Sequence, residues 1–109
     1  MRKATDLLLE RVATRLRAMG SPLRLRILHS LEDGELTVTE LVAAARSSQA
    51  NVSKHLMVLR SAGLVKSRRE GMTVRYAIGD PMVLDICRSV CDSILCQATA
   101  EVRRLARGA

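Results

Sequence analysis

The amino-acid sequence predicts a mainly helical fold with one β-hairpin, and three observations support this. Apolar residues recur at helical spacing in several segments, a turn of about three residues separates two short helices, and the pattern changes to alternation after Gly63. Two short helices joined by such a turn are typical of a helix-turn-helix. The hairpin that follows makes the predicted fold class a winged helix-turn-helix, with four helices, two wing strands and a last helix.

Three helices are predicted before the turn. The first is amphipathic and runs from about Thr5 to Met19. The second starts at Ser21-Pro22, an N-cap followed by proline at the first helical position, and ends at Asp33-Gly34. The segment Thr37-Val38-Thr39-Glu40 has the pattern of a capping box, which opens a third helix through about Ala45.

The stretch from Ser48 to Val65 predicts a fourth helix, a glycine stop and the start of a strand. Polar residues lie near its beginning. Val52, Leu56 and Leu59 recur at helical spacing and are expected to pack the helix against a core. A short helix with hydrogen-bonding groups at its start and an apolar back is typical of a helix that enters a DNA groove. The chain is therefore expected to bind DNA.

A hairpin and a long helix complete the predicted fold. Leu64–Arg69 and Met72–Ile78 are typical of two strands, with a tight turn at Glu70-Gly71 between them. Asp80-Pro81 then provides an N-cap and a first helical residue for the last helix, which extends to about Ala106.

Composition limits the classes of protein to which the chain can belong. A sequence of 109 residues has room for one modest core, so we expect a single domain over residues 1–109. This core must be aliphatic because the sequence has no Phe or Trp and only one Tyr. The net charge of +7 and the excess of Arg over Lys suit contacts with phosphates and guanines.

Membrane and enzyme classes are not expected. No segment approaches the ~18 consecutive apolar residues of a membrane span, and Leu7-Leu8-Leu9 is too short for a signal-peptide core. We therefore expect a cytoplasmic protein without a membrane partner. The sequence offers no nucleophile near a base, no phosphate-binding loop and no pair of carboxylates in an apolar setting. We therefore expect neither an enzyme nor a required cofactor.

The order of elements resembles the winged-helix repressors of the ArsR/SmtB family. The resemblance covers nearly the whole chain, and its most specific parts are residues Ala18–Leu28, Ser53–Val65 and Arg69–Tyr76. It implies a homodimeric repressor with its N- and C-terminal helices in the dimer interface. Such a repressor binds an inverted-repeat operator in double-stranded DNA. The resemblance also implies release by an inducer, which it does not identify.

The resemblance further implies a DNA-binding surface on the fourth helix and basic contacts from the hairpin. Gln49 and Asn51 can each form two hydrogen bonds with adenine, and arginines bind phosphates. His55 has two alternative roles, a phosphate contact or packing against the preceding helix. The candidate DNA-binding residues are Arg46, Ser48, Gln49, Asn51, Ser53, Lys54, His55, Arg60, Arg68, Arg69 and Arg75.

The turn before the fourth helix departs from the family pattern, since Ala45-Arg46-Ser47 stands in place of Leu-Gly-Leu. Arg46 lacks glycine's access to positive backbone angles, and Ser47 cannot anchor the turn in an apolar core. We expect either a looser turn or an additional phosphate contact from Arg46.

All three cysteines lie within the last predicted helix. At about 100° per residue, Cys87 and Cys91 are about 40° apart on its apolar stripe, whereas Cys96 is about 180° from Cys87. Three sulfurs on one straight helix cannot meet at one ion. A site for arsenite or another soft thiophilic ion, acting as inducer, would use Cys87 and Cys91 with a ligand from the partner chain, or with Cys96 after local unwinding.

Two other interpretations of the cysteines stay open. Cys87 and Cys91 are also suited to reversible thiol oxidation or sulfur-chain formation, with Arg88 favouring the thiolate. Alternatively they pack as small hydrophobes in a DNA-binding protein without an inducer. The metal sites implied by the family are mostly missing, since Thr37 and Thr39 stand where thiolates would be and the last helix has no histidine.

Overall fold

The computed structural model describes residues 5–108. This part of the chain forms five helices and a three-stranded antiparallel sheet, which confirms the predicted winged helix-turn-helix. The elements are α1 (Asp6–Met19), α2 (Pro22–Ser30), β1 (Leu36–Thr37), α3 (Val38–Ala45), α4 (Gln49–Ser61), β2 (Val65–Glu70), β3 (Thr73–Ile78) and α5 (Met82–Gly108).

The helices begin where the sequence supplies a side chain to cap them. The capping box before α3 is complete, because the Thr37 amide donates to the Glu40 carboxylate at 2.9 Å and the Glu40 amide donates to the Thr37 hydroxyl at 3.2 Å. At the start of α5, the Met82 amide donates to Asp80 Oδ1 at 3.0 Å. These contacts satisfy amides that have no partner within the helix.

Two elements differ from the prediction. A third strand, β1, pairs with β3 through Leu36↔Tyr76 and Thr37↔Arg75, which gives the sheet order β1-β3-β2. A two-residue strand is too short to show alternation in a sequence, so the prediction missed it. Helix α2 ends at Ser30 and not at Asp33-Gly34, because the last residues before the glycine form turns.

The core is aliphatic, as expected. It lies between α2, α3, α4 and the start of β2, with Ala18 and Met19 from the end of α1, and α5 adds one fully buried residue, Val83. Tyr76 packs against this core from the central strand. The largest fully buried side chains are Ile27, Leu28, Leu31, Leu41, Val52, Leu56, Leu59, Leu64 and Val83.

Large apolar side chains remain exposed on the first and last helices. On α1 these include Leu8, Val12 and Leu16, and on α5 they include Ile94 and Leu105, which is 63% exposed. Extended apolar surface of this kind marks an interaction site in most proteins. Among residues 5–108, no helix combines the length and the apolar character needed to span a bilayer.

Gly79 lets β3 pass close to the start of β2. A methyl group on its α-carbon would lie 2.8 Å from the carbonyl oxygen of Gly63 and 3.1 Å from the carbonyl carbon of Val65. We expect Gly79→Ala to lower the free energy of unfolding by about 1–3 kcal/mol, because backbone atoms cannot move aside easily. Urea denaturation measures this change.

Gly20→Ala is the matched control for that substitution. A methyl group at Gly20 would lie 3.5 Å from the nearest atom, the Arg17 carbonyl oxygen, which is ordinary contact. Its free energy of unfolding should stay within about 1 kcal/mol of the wild-type value. Equal losses in the two variants would contradict the steric argument.

Candidate nucleic-acid interface

Helix α4 is buried along its back and exposed along its front. Val52, Leu56 and Leu59 are at most 1% exposed and fix the helix against the core. The polar side chains at its start are exposed, and we call these four residues the recognition surface: Gln49, Asn51, Ser53 and Lys54.

The recognition surface is broad. At about 100° per residue, Gln49 and Ser53 lie along one edge of the exposed face and Asn51 along the other, with Lys54 between them. Arg60 is in line with Gln49 but about 16 Å further along the helix axis. The start of α4 therefore presents amide, hydroxyl and ammonium groups over a width that suits the floor of a major groove.

Hydrogen bonds order the beginning of α4. The Ser48 hydroxyl accepts from the Asn51 amide at 3.1 Å, so Ser48 serves as the N-cap. The Asn51 side-chain amide donates to the Ser47 hydroxyl at 2.9 Å, which orients the carboxamide. No acidic residue occupies the first turn of α4. The positive end of the helix dipole is therefore free to attract an anion.

Arg46 adopts the left-handed conformation that glycine usually supplies in a turn. Its φ and ψ are 53° and 49°, and its amide donates to the Val42 carbonyl to close α3. The turn stays tight, so the expectation of a looser turn is not met, and Ala45 is buried beside it. The conformation costs about 1–2 kcal/mol for a residue with a side chain. The Arg46 side chain is exposed.

His55 is half-buried and contacts α2, whereas the expected packing was against the preceding helix, α3. Its Nδ1 accepts a hydrogen bond from Arg24 Nε at 3.1 Å. Desolvation, Arg24 and Lys54 together lower the pKa of His55 below its ordinary value. Because a guanidinium is always a donor, Nδ1 carries no proton and the neutral imidazole holds its proton on Nε2.

The wing arginines lie on two different faces of the hairpin. Arg68 is directly opposite Arg75, whereas the neighbouring Arg69 is opposite Val74 and points the other way. The three side chains therefore cannot all contact the same phosphate group. Arg69 is exposed and forms no ion pair within residues 5–108.

Arg68 is held by two carboxylates. Its Nε and Nη2 donate to Glu35 at 2.7 Å and 2.8 Å, and its Nη1 lies 2.8 Å from Glu70. Arg75 lies 3.6 Å from the same Glu70 carboxylate. The hydrogen bonds with Arg68 lower the pKa of Glu35, and the two carboxylates raise the pKa of Arg68. The positive charge of Arg68 is largely neutralised by these carboxylates, so Arg68 is less able than Arg69 to bind a phosphate.

Comparison with known proteins places this geometry in one family. The family described as "Bacterial regulatory protein, arsR family" matches residues 21–67. A solution structure of a homodimeric winged helix-turn-helix DNA-binding domain from Mycobacterium bovis, a possible ArsR-family transcriptional regulator, is 33% identical. It superposes with a TM-score of 0.74, and the match covers 87% of this chain and 94% of that one.

The chain belongs to the ArsR family.

Two curated relatives extend the comparison. A probable mercury resistance operon repressor of Streptomyces lividans is 44% identical over 64% of this chain and 56% of its own length. A transcriptional repressor SmtB homolog of Synechocystis is 42% identical over 71% of this chain and 58% of its own length. The match therefore spans a little over half of each relative. Membership in the ArsR family, described as bacterial regulatory proteins, confirms the predicted family.

The cysteines of this ArsR-family chain are free thiols with different surroundings. Cys87 is half-buried against the core, and Cys91 and Cys96 are exposed. Burial, then Cys91, then Glu32 raise the pKa of Cys87. Within residues 5–108, no three His, Cys, Asp or Glu side chains are grouped to hold a metal ion.

The expectation that Arg88 favours a thiolate at Cys87 is wrong. The pKa of Cys87 is raised and not lowered. Arg88 lies 3.6 Å from Glu32 and 3.6 Å from Asp85, so its charge is shared with two carboxylates. A ligand that binds Cys87 must therefore displace a proton from a neutral thiol.

Two interface residues were missed by the sequence analysis. Arg24 reaches His55 across 31 positions and Glu35 reaches Arg68 across 33, so neither contact leaves a local pattern. Both contacts join segments that are distant in the sequence, so only the assembled fold shows them.

The state of His55 predicts how stability depends on pH. Since the folded pKa lies below the ordinary value of 6.5, the unfolded chain takes up a proton first as the pH falls. The free energy of unfolding should therefore decrease as the pH falls from about 7 through the folded pKa. His55→Asn removes this component, because asparagine retains an acceptor but does not titrate.

Denaturation by urea at several pH values tests this expectation. His29→Asn is the matched control, because His29 is highly exposed and pairs only with Glu32. This control should keep the wild-type loss of stability on acidification. A His55→Asn variant with the wild-type pH dependence would contradict the neutral, arginine-bonded imidazole.

Proposed function

We propose that this ArsR-family regulator is a homodimeric transcriptional repressor that acts in the cytoplasm on an inverted-repeat operator in double-stranded DNA. The observation that carries the proposal is the two-sided character of α4. Its back is buried at Val52, Leu56 and Leu59, while the recognition surface projects from its first two turns. A helix held in this way enters a major groove by its N-terminal end.

The exposed apolar sides of α1 and α5 support a homodimer. Leu8 and Leu16 on α1, and Val90, Ile94 and Val102 on α5, are all at least 45% exposed in the single chain. A second copy that covers these surfaces would bury them at the N- and C-terminal helices. The similar domain from Mycobacterium bovis is homodimeric. Two copies of α4 would then meet half-sites about 34 Å apart.

The residues of the interface divide into base and phosphate contacts. Gln49 and Asn51 have the carboxamides that pair with adenine, and Ser53 and Lys54 serve bases or phosphates. Arg46 and Arg60 flank the recognition surface and suit phosphates. On the wing, the unpaired Arg69 is the principal phosphate contact. Arg75 is a second candidate phosphate contact on the opposite face of the hairpin, beside Arg68, which chiefly stabilises the wing through Glu35.

Salt dependence of operator binding distinguishes the two wing arginines. Arg69→Ala should weaken binding to all DNA sequences alike and reduce the slope of log K against log salt by about 1, because one phosphate contact is lost. Arg68→Ala removes the same charge at the neighbouring position and should leave the slope near the wild-type value. Fluorescence anisotropy at several salt concentrations measures both. A reduced slope in Arg68→Ala alone would reverse the assignment.

Base preference tests the recognition surface. Asn51→Ala should cost about 1–3 kcal/mol of specific binding and relax the preference at one base pair of each half-site. Selection from a randomised operator library measures the preference. An unchanged sequence profile would remove Asn51 from the base contacts. The absence of any salt-dependent binding by the wild-type protein would overturn the proposed function as a whole.

We propose that the inducer is a soft thiophilic ion held by Cys87 and Cys91. The pair is one helical turn apart, and Cys91 is exposed on the apolar side of α5. Thiolates select soft ions, and one relative is a probable mercury resistance operon repressor. A two-thiolate pair suits mercury(II), whereas arsenite requires a third ligand from the partner chain, or from Cys96 after local unwinding.

The second candidate inducer is an oxidant or a reactive sulfur species. The exposure of two unpaired thiols, Cys91 and Cys96, favours it. A sulfur chain between Cys87 and Cys91 escapes the strain of an ordinary disulfide within one helix turn. In either case the ligand would act at the apolar side of α5, where it would change the packing of the proposed dimer.

Operator release assigns the inducer. Reduced protein bound to operator is titrated separately with mercury(II), arsenite and a persulfide donor. We expect release by an ion, its loss in the Cys87→Ser, Cys91→Ser double variant, and its retention in the Cys96→Ser control. Release in the double variant would contradict the site. No release by any agent would favour a repressor without an inducer, in which the cysteines only pack.

A further inference from the structure

An open groove separates α1 from α4. It has a volume of about 600 Å³ and is lined on one side by Arg17 and Ala18 and on the other by Met57, Val58 and Ser61. The two helices make few direct contacts. Apolar packing of α1 into the core is limited to its C-terminal end, at Ala18 and Met19, the buried residues of this helix.

Arg24 bridges this groove from the first turn of α2. Its Nη1 donates to the Ala18 carbonyl at 3.1 Å and to the Arg17 carbonyl at 3.4 Å, at the C-terminal end of α1. Its Nε donates to His55 Nδ1 on α4 at 3.1 Å. A single guanidinium thus joins three helices.

The geometry of this clamp is strict. The carbonyls at the end of α1 carry the negative end of its dipole, so they attract a cation, and the Arg17 carbonyl also accepts from the Gly20 amide at 3.1 Å. The guanidinium is planar, and its donors have fixed directions. A displacement of α1 relative to α4 by about 1 Å would therefore stretch the carbonyl contacts or the His55 contact beyond hydrogen-bond length.

We propose that Arg24 is a positioning residue for operator binding, which sets the orientation of α4 relative to α1 through its hydrogen bond with His55. The inference rests on the proposed DNA-binding function. Lys54 follows His55 directly on the same helix, so the clamp acts next to the recognition surface. Because α1 also carries exposed apolar residues of the proposed dimer interface, Arg24 links the arrangement of the dimer to the surface that meets DNA.

Operator binding by full-length variants tests the clamp. Arg24→Ala should lower the affinity by about 5- to 30-fold, with the salt slope of the wild-type protein, since no phosphate contact is lost. Arg24→Lys should not restore binding, because an ammonium lacks the fork that reaches α1 and α4 together. Circular dichroism and urea denaturation establish that each variant is folded before its affinity is compared.

Two substitutions of His55 separate the clamp from a DNA contact. Asparagine places an acceptor near the position of Nδ1, whereas glutamine places a polar group near that of Nε2. The clamp predicts near wild-type affinity for His55→Asn and a loss like that of Arg24→Ala for His55→Gln. Combining Arg24→Ala with His55→Gln should cause little further loss, because both remove the same contact.

The opposite results overturn the proposal. A lower salt slope in Arg24→Ala, restored by Arg24→Lys, would make Arg24 a phosphate contact. Wild-type affinity in His55→Gln together with loss in His55→Asn would make His55 Nε2 a DNA contact. Additive losses in the double variant would show that Arg24 and His55 act separately. In each of these cases wild-type operator binding, and hence the proposed function, would still stand.

Discussion

The burial of one side of α4 is the constraint on which the rest of the structure depends. Val52, Leu56 and Leu59 insert into an aliphatic core to which α2, α3, the start of β2 and the ends of α1 and α5 also contribute. The removal of apolar side chains from water is the dominant stabilising contribution in a small domain. It also determines which side chains of α4 remain in solvent. The residues that pack α4 against the core therefore also determine which side chains of α4 are exposed and able to contact DNA.

Polar contacts then set finer details that apolar packing leaves undetermined. At the start of α4, the Ser48 cap and the Asn51 side chain define the first turn. At the wing, Glu35 and Glu70 restrain Arg68 on one face and leave Arg69 available on the other. A net charge of +7 thus does not spread evenly over the surface. Ion pairs with carboxylates of the same chain determine which arginines remain available to bind anions.

The parts of the fold that could be predicted from the sequence are those determined by nearby residues. The capping box at Thr37–Glu40 and the apolar spacing of α4 lie within single segments, and the structure confirms both. Strand β1 depends on β3, which lies far along the chain, and it was missed. The Arg24–His55 contact and the partners of Arg68 depend in the same way on the assembled fold. Sequence patterns identified the candidate surface, but not which charges are already neutralised within it.

The scarcity of aromatic residues has a practical consequence for spectroscopy. The sequence has no Trp or Phe and a single Tyr, and Tyr76 lies in the central strand of the sheet, where it packs against the core. Intrinsic emission and the aromatic ultraviolet signal therefore originate from one site, within a strand of the wing hairpin. The unmodified protein thus contains a built-in optical reporter of how the hairpin sits on the helices, without a dye or an engineered label.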